Sequence, residues 1–342
     1  MLIDTLKELC ALPGVSSRED AVRDYIRAQV SSCADSIRVD PMGNLIAEKK
    51  GRIPGSKKIM LAAHMDEVGL MIHTITDDGY LKFANVGGID RRVLIGKRVL
   101  VGEKEIPGVI GLKAYHLSST EEEKKVPKLK DFYIDIGAKD GEEAREYVSP
   151  GDVAVFDADI VEFGHGLIKA KAIDDRIGCA VMVELLKEDL PMDVTFAFTV
   201  QEEVGTRGAF GAAFSVTPDI ALVLEGTTAA DLPDMPDRQK VCGPGKGPVI
   251  PFMDGSTVYD RELFEQLRSL AVEHKIPWQT KQYISGGTDA GAIQRTKDGV
   301  RVAAISAAVR YLHTPSSVAS LEDCEHILTL ARLFLQAVST ME

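Results

Sequence analysis

The run Ile59-Met60-Leu61-Ala62-Ala63 is apolar without alternation, and His64 follows it directly. A strand with one wet face alternates, whereas an unbroken apolar run suits a central strand covered on both faces. The pattern recurs along the chain. Phe196-Ala197-Phe198-Thr199-Val200 runs into Gln201-Glu202-Glu203, and Leu222-Val223-Leu224 runs into Glu225. In open α/β sheets, ligands bind beyond the carboxyl ends of the strands. One feature therefore constrains both the fold class and the place of the chemistry.

The rest of the chain fits around these strands. Helices are expected at 3–12 and 17–31, the second with Ser17 as its cap and Asp20 three residues on. Strands are expected at 36–39, 44–48 and 58–63. From 167 onward, helices at 175–190, 208–214, 261–274, 286–294 and 321–338 alternate with strands at 194–200, 220–224 and 302–307. Alternation of this kind implies an α/β fold with a mixed, mostly parallel sheet and helices on both faces. Between 69 and 164 the texture changes to short Val/Ile/Tyr/Phe segments punctuated by glycine, at 79–84, 93–101, 108–113, 132–136 and 153–158, with little helical periodicity. This reads as a small inserted β-barrel-like domain, 69–164, splitting a larger domain made of 1–68 and 165–342. The run Glu121-Glu122-Glu123-Lys124-Lys125 reads as an exposed loop.

Composition narrows the partners. Lys and Arg number 40 against 52 Asp and Glu, a net charge of −12. That balance argues against general nucleic-acid or anionic-membrane binding, which needs clustered cations. Cys10, Cys33, Cys179, Cys242 and Cys324 form no C-x-x-C pair, which fits a reducing cytoplasm. Residues 1–13 mix Asp4, Lys7 and Glu8 with apolar positions, unlike a signal-peptide core, and no apolar run is long enough for a membrane span.

Five places could carry chemistry. His64 is followed two residues later by Asp66, and a carboxylate near a ligating His commonly fixes its tautomer. Ala172-Ile173-Asp174-Asp175-Arg176 puts two acids at a helix start, where a cap needs only one. Glu202 and Glu203 end a buried strand and point in different directions, so one can bind a metal while the other faces water. Glu225 ends a third strand, and His313-Thr314-Pro315 fixes a second His after a fourth. Two His and three carboxylates, with a spare glutamate and no sulfur, suit a pair of divalent cations. Such a pair needs a bridging carboxylate and an unliganded general base.

These motifs resemble the tetrahedral (TET) aminopeptidase family of dinuclear metallopeptidases, which includes glutamyl and deblocking aminopeptidases and members labelled endoglucanase M. The resemblance rests on His64-Met65-Asp66-Glu67-Val68-Gly69, Ala172-Ile173-Asp174-Asp175-Arg176-Ile177-Gly178, Gln201-Glu202-Glu203-Val204-Gly205 and Arg310-Tyr311-Leu312-His313-Thr314. Val86-Gly87-Gly88-Ile89-Asp90, Gly108-Val109-Ile110-Gly111 and Ser285-Gly286-Gly287-Thr288-Asp289-Ala290 extend it over nearly the whole chain. It implies a zinc-peptidase-like fold and two metal ions per subunit, Zn2+ or Co2+, with Mn2+ as a third choice. His64 and Glu225 would bind one ion and His313 and Glu203 the other, with Asp174 bridging. Glu202 would be the general base, Asp66 would orient His64, and the peptide bond after Asp174 would be cis. Where Glu225 stands the family usually has Asp, so the reach of that ligand differs by one methylene.

The activity implied is release of single N-terminal residues from short peptides in the cytoplasm. Dimers formed through the β insert would build a hollow tetrahedral dodecamer. His116 is a candidate oxyanion donor, in its own or a neighbouring subunit, and Gly286, Gly287, Thr288 and Asp289 are candidate substrate contacts. The competing readings are an N-acyl amino acid deacylase or dipeptidase with the same metal core, a glucanase, and a catalytically weak assembly protein.

Overall fold

The computed structural model describes residues 1–53 and 57–341. Helices α1 (Leu2–Ala11) and α2 (Asp20–Val30) come first. Ser17 does not cap α2. It adopts φ +71° and its N–H donates to Glu19 Oε1 at 2.8 Å, leaving Glu19 at the cap position. Strands β1 (Ser36–Val39) and β2 (Leu45–Lys49) form an antiparallel pair, and β3 (Ile59–His64) is buried along its whole length.

The chain then leaves the sheet for a closed barrel. Its strands are β4 (Gly69–Ile75), β5 (Leu81–Val86), β6 (Arg98–Val101), β7 (Ile106–Gly111), β8 (Tyr133–Asp135) and β9 (Val153–Phe156), in the order β4-β5-β8-β7-β6-β9. Leu70, Ile72, Phe83, Phe132 and Ile134 fill its separate core. Two helices interrupt it, α3 (Thr120–Glu123) and α4 (Gly141–Tyr147). The acidic run expected as a loop is thus partly helical. Ser119 and Glu122 exchange bonds in a capping box that the charge pattern hid. The second helix starts from the Asp140 side chain, which accepts the Glu143 N–H. After the barrel, β10 (Val161–Phe163) pairs with β11 (Leu167–Ala170), part of a small three-stranded sheet.

The remaining elements are α5 (Ile173–Leu186), β12 (Val194–Thr199), α6 (Arg207–Val216), β13 (Ile220–Thr228), α7 (Arg261–Glu273), α8 (Asp289–Gln294), β14 (Arg301–Val309), β15 (Ser317–Ser320) and α9 (Leu321–Val338). Helix α8 begins three residues later than its glycines suggested. Thr288 caps it through the Ala290 N–H, while Gly286, at φ +69°, lies in the preceding loop. β13 runs four residues past its expected end and so takes in Glu225.

The main sheet has the order β1-β2-β12-β3-β13-β14. β12, β3, β13 and β14 are mutually parallel, and β1 and β2 are antiparallel, so the sheet is mixed and mostly parallel. Alternate side chains go to opposite faces. Ile59, Leu61 and Ala63 pack with α1, α2, α5 and α9, whereas Met60 and Ala62 pack with α6 and α8. Alanines at 197, 209, 212, 213, 221 and 290 make that second face thin, which brings α8 and its preceding loop close to the strand ends. Among the described residues, no helix is long and apolar enough to cross a membrane.

Candidate metal centre

The parallel strands end together. His64 closes β3 opposite Thr199 of β12, and Glu202 and Glu203 follow three and four residues after Thr199. The His64 side chain is 1% exposed, and its Nδ1 lies 3.0 Å from the Asp66 carbonyl. A carbonyl only accepts, so Nδ1 carries the hydrogen and Nε2 is left facing Asp174 Oδ1 at 3.6 Å. His313 repeats the arrangement from the other side. Its Nδ1 lies 2.8 Å from the Gly88 carbonyl, and its Nε2 lies 3.7 Å from Asp174 Oδ2 and 3.2 Å from Glu203 Oε1.

Asp174 therefore stands between two histidines, one on each carboxylate oxygen. The Asp174–Asp175 peptide is cis, and both residues depart from helical angles at the head of α5. Gly226 makes room for Asp174: a Cβ there would lie 2.7 Å from Oδ1, and the Gly226 N–H donates to that oxygen. Three sets of potential ligand atoms gather within 4.8 Å of one another: His64, Asp174 and Glu225; Asp174, Glu203 and His313; and His64, Glu202 and Glu203.

The Asp66 carboxylate, 3.4 Å from His64 Nδ1, has partners of its own. Its Oδ1 accepts the Glu202 N–H at 2.9 Å, and its Oδ2 accepts the Glu203 N–H at 3.2 Å and the Ser16 hydroxyl at 2.5 Å. One buried carboxylate thus ties together the ends of β3 and β12. Above the centre opens a cleft of about 820 Å³, with Asp174, Glu202, Glu203 and Glu225 on its floor and Gly286, Gly287 and Thr288 on one wall. Asp289 is buried with Oδ2 against the Thr199 hydroxyl at 2.5 Å, and does not line the cleft. His116 sits in an exposed turn, Tyr115–Leu117, away from the cleft of its own chain.

The profile of the M42 glutamyl aminopeptidase family matches residues 43–330. The chain belongs to that family. A putative aminopeptidase of Acetivibrio thermocellus is 43% identical over 96% of this chain and 97% of its own length. A lysyl aminopeptidase of Pyrococcus furiosus is 31% identical over 99% and 98%. Among solved structures, an aminopeptidase from Desulfurococcus kamchatkensis superposes with a TM-score of 0.92 at 36% identity, covering 99% and 98% of the two chains. The TET1 peptidase of Pyrococcus horikoshii, described as assembling into a tetrahedron or a large octahedral shell, does so with 0.86 at 38%, covering 97% and 98%.

In this M42 chain, burial and crowding set the electrostatics. Burial pushes the Glu202 carboxyl up to about 9, with His64 opposing and Asp289, Glu203 and Asp174 adding to the rise. Burial likewise holds Glu225 well above the carboxylate range, helped by Glu202. For His313 burial works downward, yet Asp174 and Glu203 outweigh it and carry the imidazole up to about 11. His64 moves the same way under Asp174, Asp66 and Glu202, against its own burial. Such a cluster demands positive charge, as protons or as metal ions. His64 Nε2 and Glu225 Oε2 are buried without a hydrogen-bond partner, although buried polar groups are ordinarily paired. The 3.6 Å between His64 Nε2 and Asp174 Oδ1 also suits a cation, because two ligands about 2.0–2.2 Å from one zinc at a tetrahedral angle are roughly 3.3–3.6 Å apart.

Several contributors escaped the sequence reading. Gly88 acts through its carbonyl, a role no side-chain pattern reveals. Ser16 and Glu19 lie in the loop before α2, and Glu19 accepts the Gln201 N–H just ahead of Glu202. Thr199 carried the one available signal, a hydroxyl inside an otherwise apolar strand.

Proposed function

We propose that this chain is a metal-dependent aminopeptidase that removes single residues from the free N-termini of short peptides. The observation that carries the reading is Asp174, whose two carboxylate oxygens each face the Nε2 of a histidine whose Nδ1 is held by a backbone carbonyl. His64, Glu225 and Asp174 would hold one divalent cation, and His313, Glu203 and Asp174 the other, as Zn2+ or Co2+, with Mn2+ as a third choice. When bound, the pair supplies Lewis acidity to a peptide carbonyl and to water. Glu202 belongs to neither set and serves as the general base, taking a proton from water at its carboxylate and returning it to the departing amine. Asp66 keeps that carboxylate in place through the Glu202 N–H. The Gly286–Gly287 loop forms the wall along which the peptide backbone would lie.

Glu202→Gln tests this reading. Hydrolysis of aminoacyl anilides should fall by about 10²–10⁴-fold, with metal content unchanged by elemental analysis. Near-normal hydrolysis in the variant removes Glu202 from the role. Chelation should abolish wild-type activity and Zn2+ or Co2+ should restore it, which also separates this chemistry from a metal-free glycosidase.

The same reading places the candidate ligands and Glu202 on residues 1–68 and 165–342 and gives the barrel insert, 69–164, to contacts between copies, with Gly88 reaching His313 from it. Kinship with the shell-forming Pyrococcus horikoshii peptidase supports dimers that assemble further. A monomer by light scattering at micromolar concentration would refute it. Five unpaired cysteines, four of them buried, support a cytoplasmic setting.

A further inference from the structure

The cleft contains a cation that the mechanism leaves unused. Lys281 is only 4% exposed, and it lines the cleft beside the Ser285–Gly287 wall. Its Nζ donates to the Ser285 carbonyl at 3.3 Å. Among the described residues, no carboxylate lies within ion-pair distance of it. The other basic residues of the wall differ. Arg310 is gripped by both oxygens of Asp231, at 2.7 and 2.6 Å, and Arg92 pairs with Asp90. Arg295 is exposed and donates to the Gly291 carbonyl. A buried ammonium without a counter-charge is costly, and a fixed one is suited to accept an anion from outside.

The charge around it sharpens the point. Ionised, Asp174, Glu203, Glu225 and Glu202 would carry −4, which two divalent cations would balance. Lys281 is then a cationic side chain of the cleft lining that no carboxylate among the described residues pairs with. We propose that Lys281 reads a carboxylate on the peptide, either the acidic side chain of its first residue or the C-terminal carboxylate of a short chain. This rests on the aminopeptidase reading. Family membership leaves the matter open, because the profile is named for glutamyl enzymes while a relative at 31% identity is named lysyl.

The test compares metal-loaded wild type with Lys281→Met on two matched pairs. Glu- and Gln-p-nitroanilide both lack a C-terminal carboxylate and differ at the side chain. Gln-Gly-Gly and its C-terminal amide differ only at the far end. In wild type, the carboxylate-bearing member of one pair should be favoured by roughly 10–100-fold in kcat/KM, mainly through KM, as for one hydrogen bond to a charged group. In Lys281→Met that ratio should collapse towards unity, in Lys281→Arg it should persist, and in Lys281→Glu it should invert. A residue that merely braced the loop would lower all four substrates together and leave the ratios alone. Equal ratios for both pairs in wild type and Lys281→Met overturn the proposal. Should Lys281→Met melt early, the Arg and Glu variants decide it. If no substrate is cleaved, the aminopeptidase reading fails instead. Calorimetry with glutamate against glutamine, and with the tripeptide against its amide, then decides the Lys281 question without turnover. Tighter binding of the carboxylate form, lost in Lys281→Met, supports it, and equal affinities reject it.

Discussion

The two halves of the candidate centre present the same ring nitrogen to the same carboxylate, yet they are built differently. His64 lies in a strand paired on both sides, and its ring is fixed by a residue two positions away. His313 lies in a turn where it and Tyr311 take positive φ, its side chain is 28% exposed, and its ring is fixed by Gly88, 225 residues distant. Moving the first requires opening the core of the sheet. Moving the second requires only that the turn shift or that the barrel's edge retreat. The difference teaches that a symmetric candidate ligand set can rest on unequal foundations, one set by hydrophobic burial and the other by where the barrel segment sits.

The most damaging change should erase the comparison altogether. Asp174→Asn removes the charge both halves share, so both cations should be lost and hydrolysis should drop at least as far as in Glu202→Gln, about 10²–10⁴-fold. Elemental analysis showing one firmly held cation would mean that the halves do not depend on Asp174 equally. A smaller perturbation should tell the halves apart. Titration of the loaded protein with a chelator should withdraw the cation of the His313 half first, giving two phases of release, and His313→Gln should abolish the early phase alone. A single cooperative release would show that the unequal scaffolding has no thermodynamic counterpart.

The smallest effect concerns the support beneath the β12 end. Burial, with Asp66 adding, pushes the Glu19 carboxyl from an ordinary 4.5 to about 7. Between those values the native state binds the proton that the unfolded chain releases, so stability falls as pH rises through that window. Glu19→Gln cannot titrate, and its Tm should gain on wild type between pH 4.5 and 7, by the equivalent of about 1–3 kcal/mol. A constant difference across that range would show that Glu19 titrates normally.

What the sequence made legible was local. Apolar runs such as Ile59–Ala63 located the central strands, because burial on both faces leaves no polar position. The residues directly after those runs come together in one cluster, because strands that run parallel end on the same side of the sheet. Motif order then supplied the grouping of His64, Asp174, Glu203, Glu225 and His313. Contacts across the chain stayed hidden. Nothing near Gly88 announces that its carbonyl orients His313, and nothing near Asp66 announces that it holds two backbone N–H groups more than a hundred residues away. Short helices were missed where capping outweighed periodicity, as at Ser119 and Asp140. Ser17 failed as a cap because its positive φ turns the chain before α2 begins.

The far-apart origins of the centre also govern when it can exist. Its first histidine is residue 64 and its second is residue 313, and the strand that delivers the second, β14, sits at the edge of the sheet against β13. A chain emerging from the ribosome therefore has a completed barrel and most of its sheet long before it has both histidines. Any peptidase activity of this fold would switch on only in the final stage of synthesis, so a half-made chain carries no working blade.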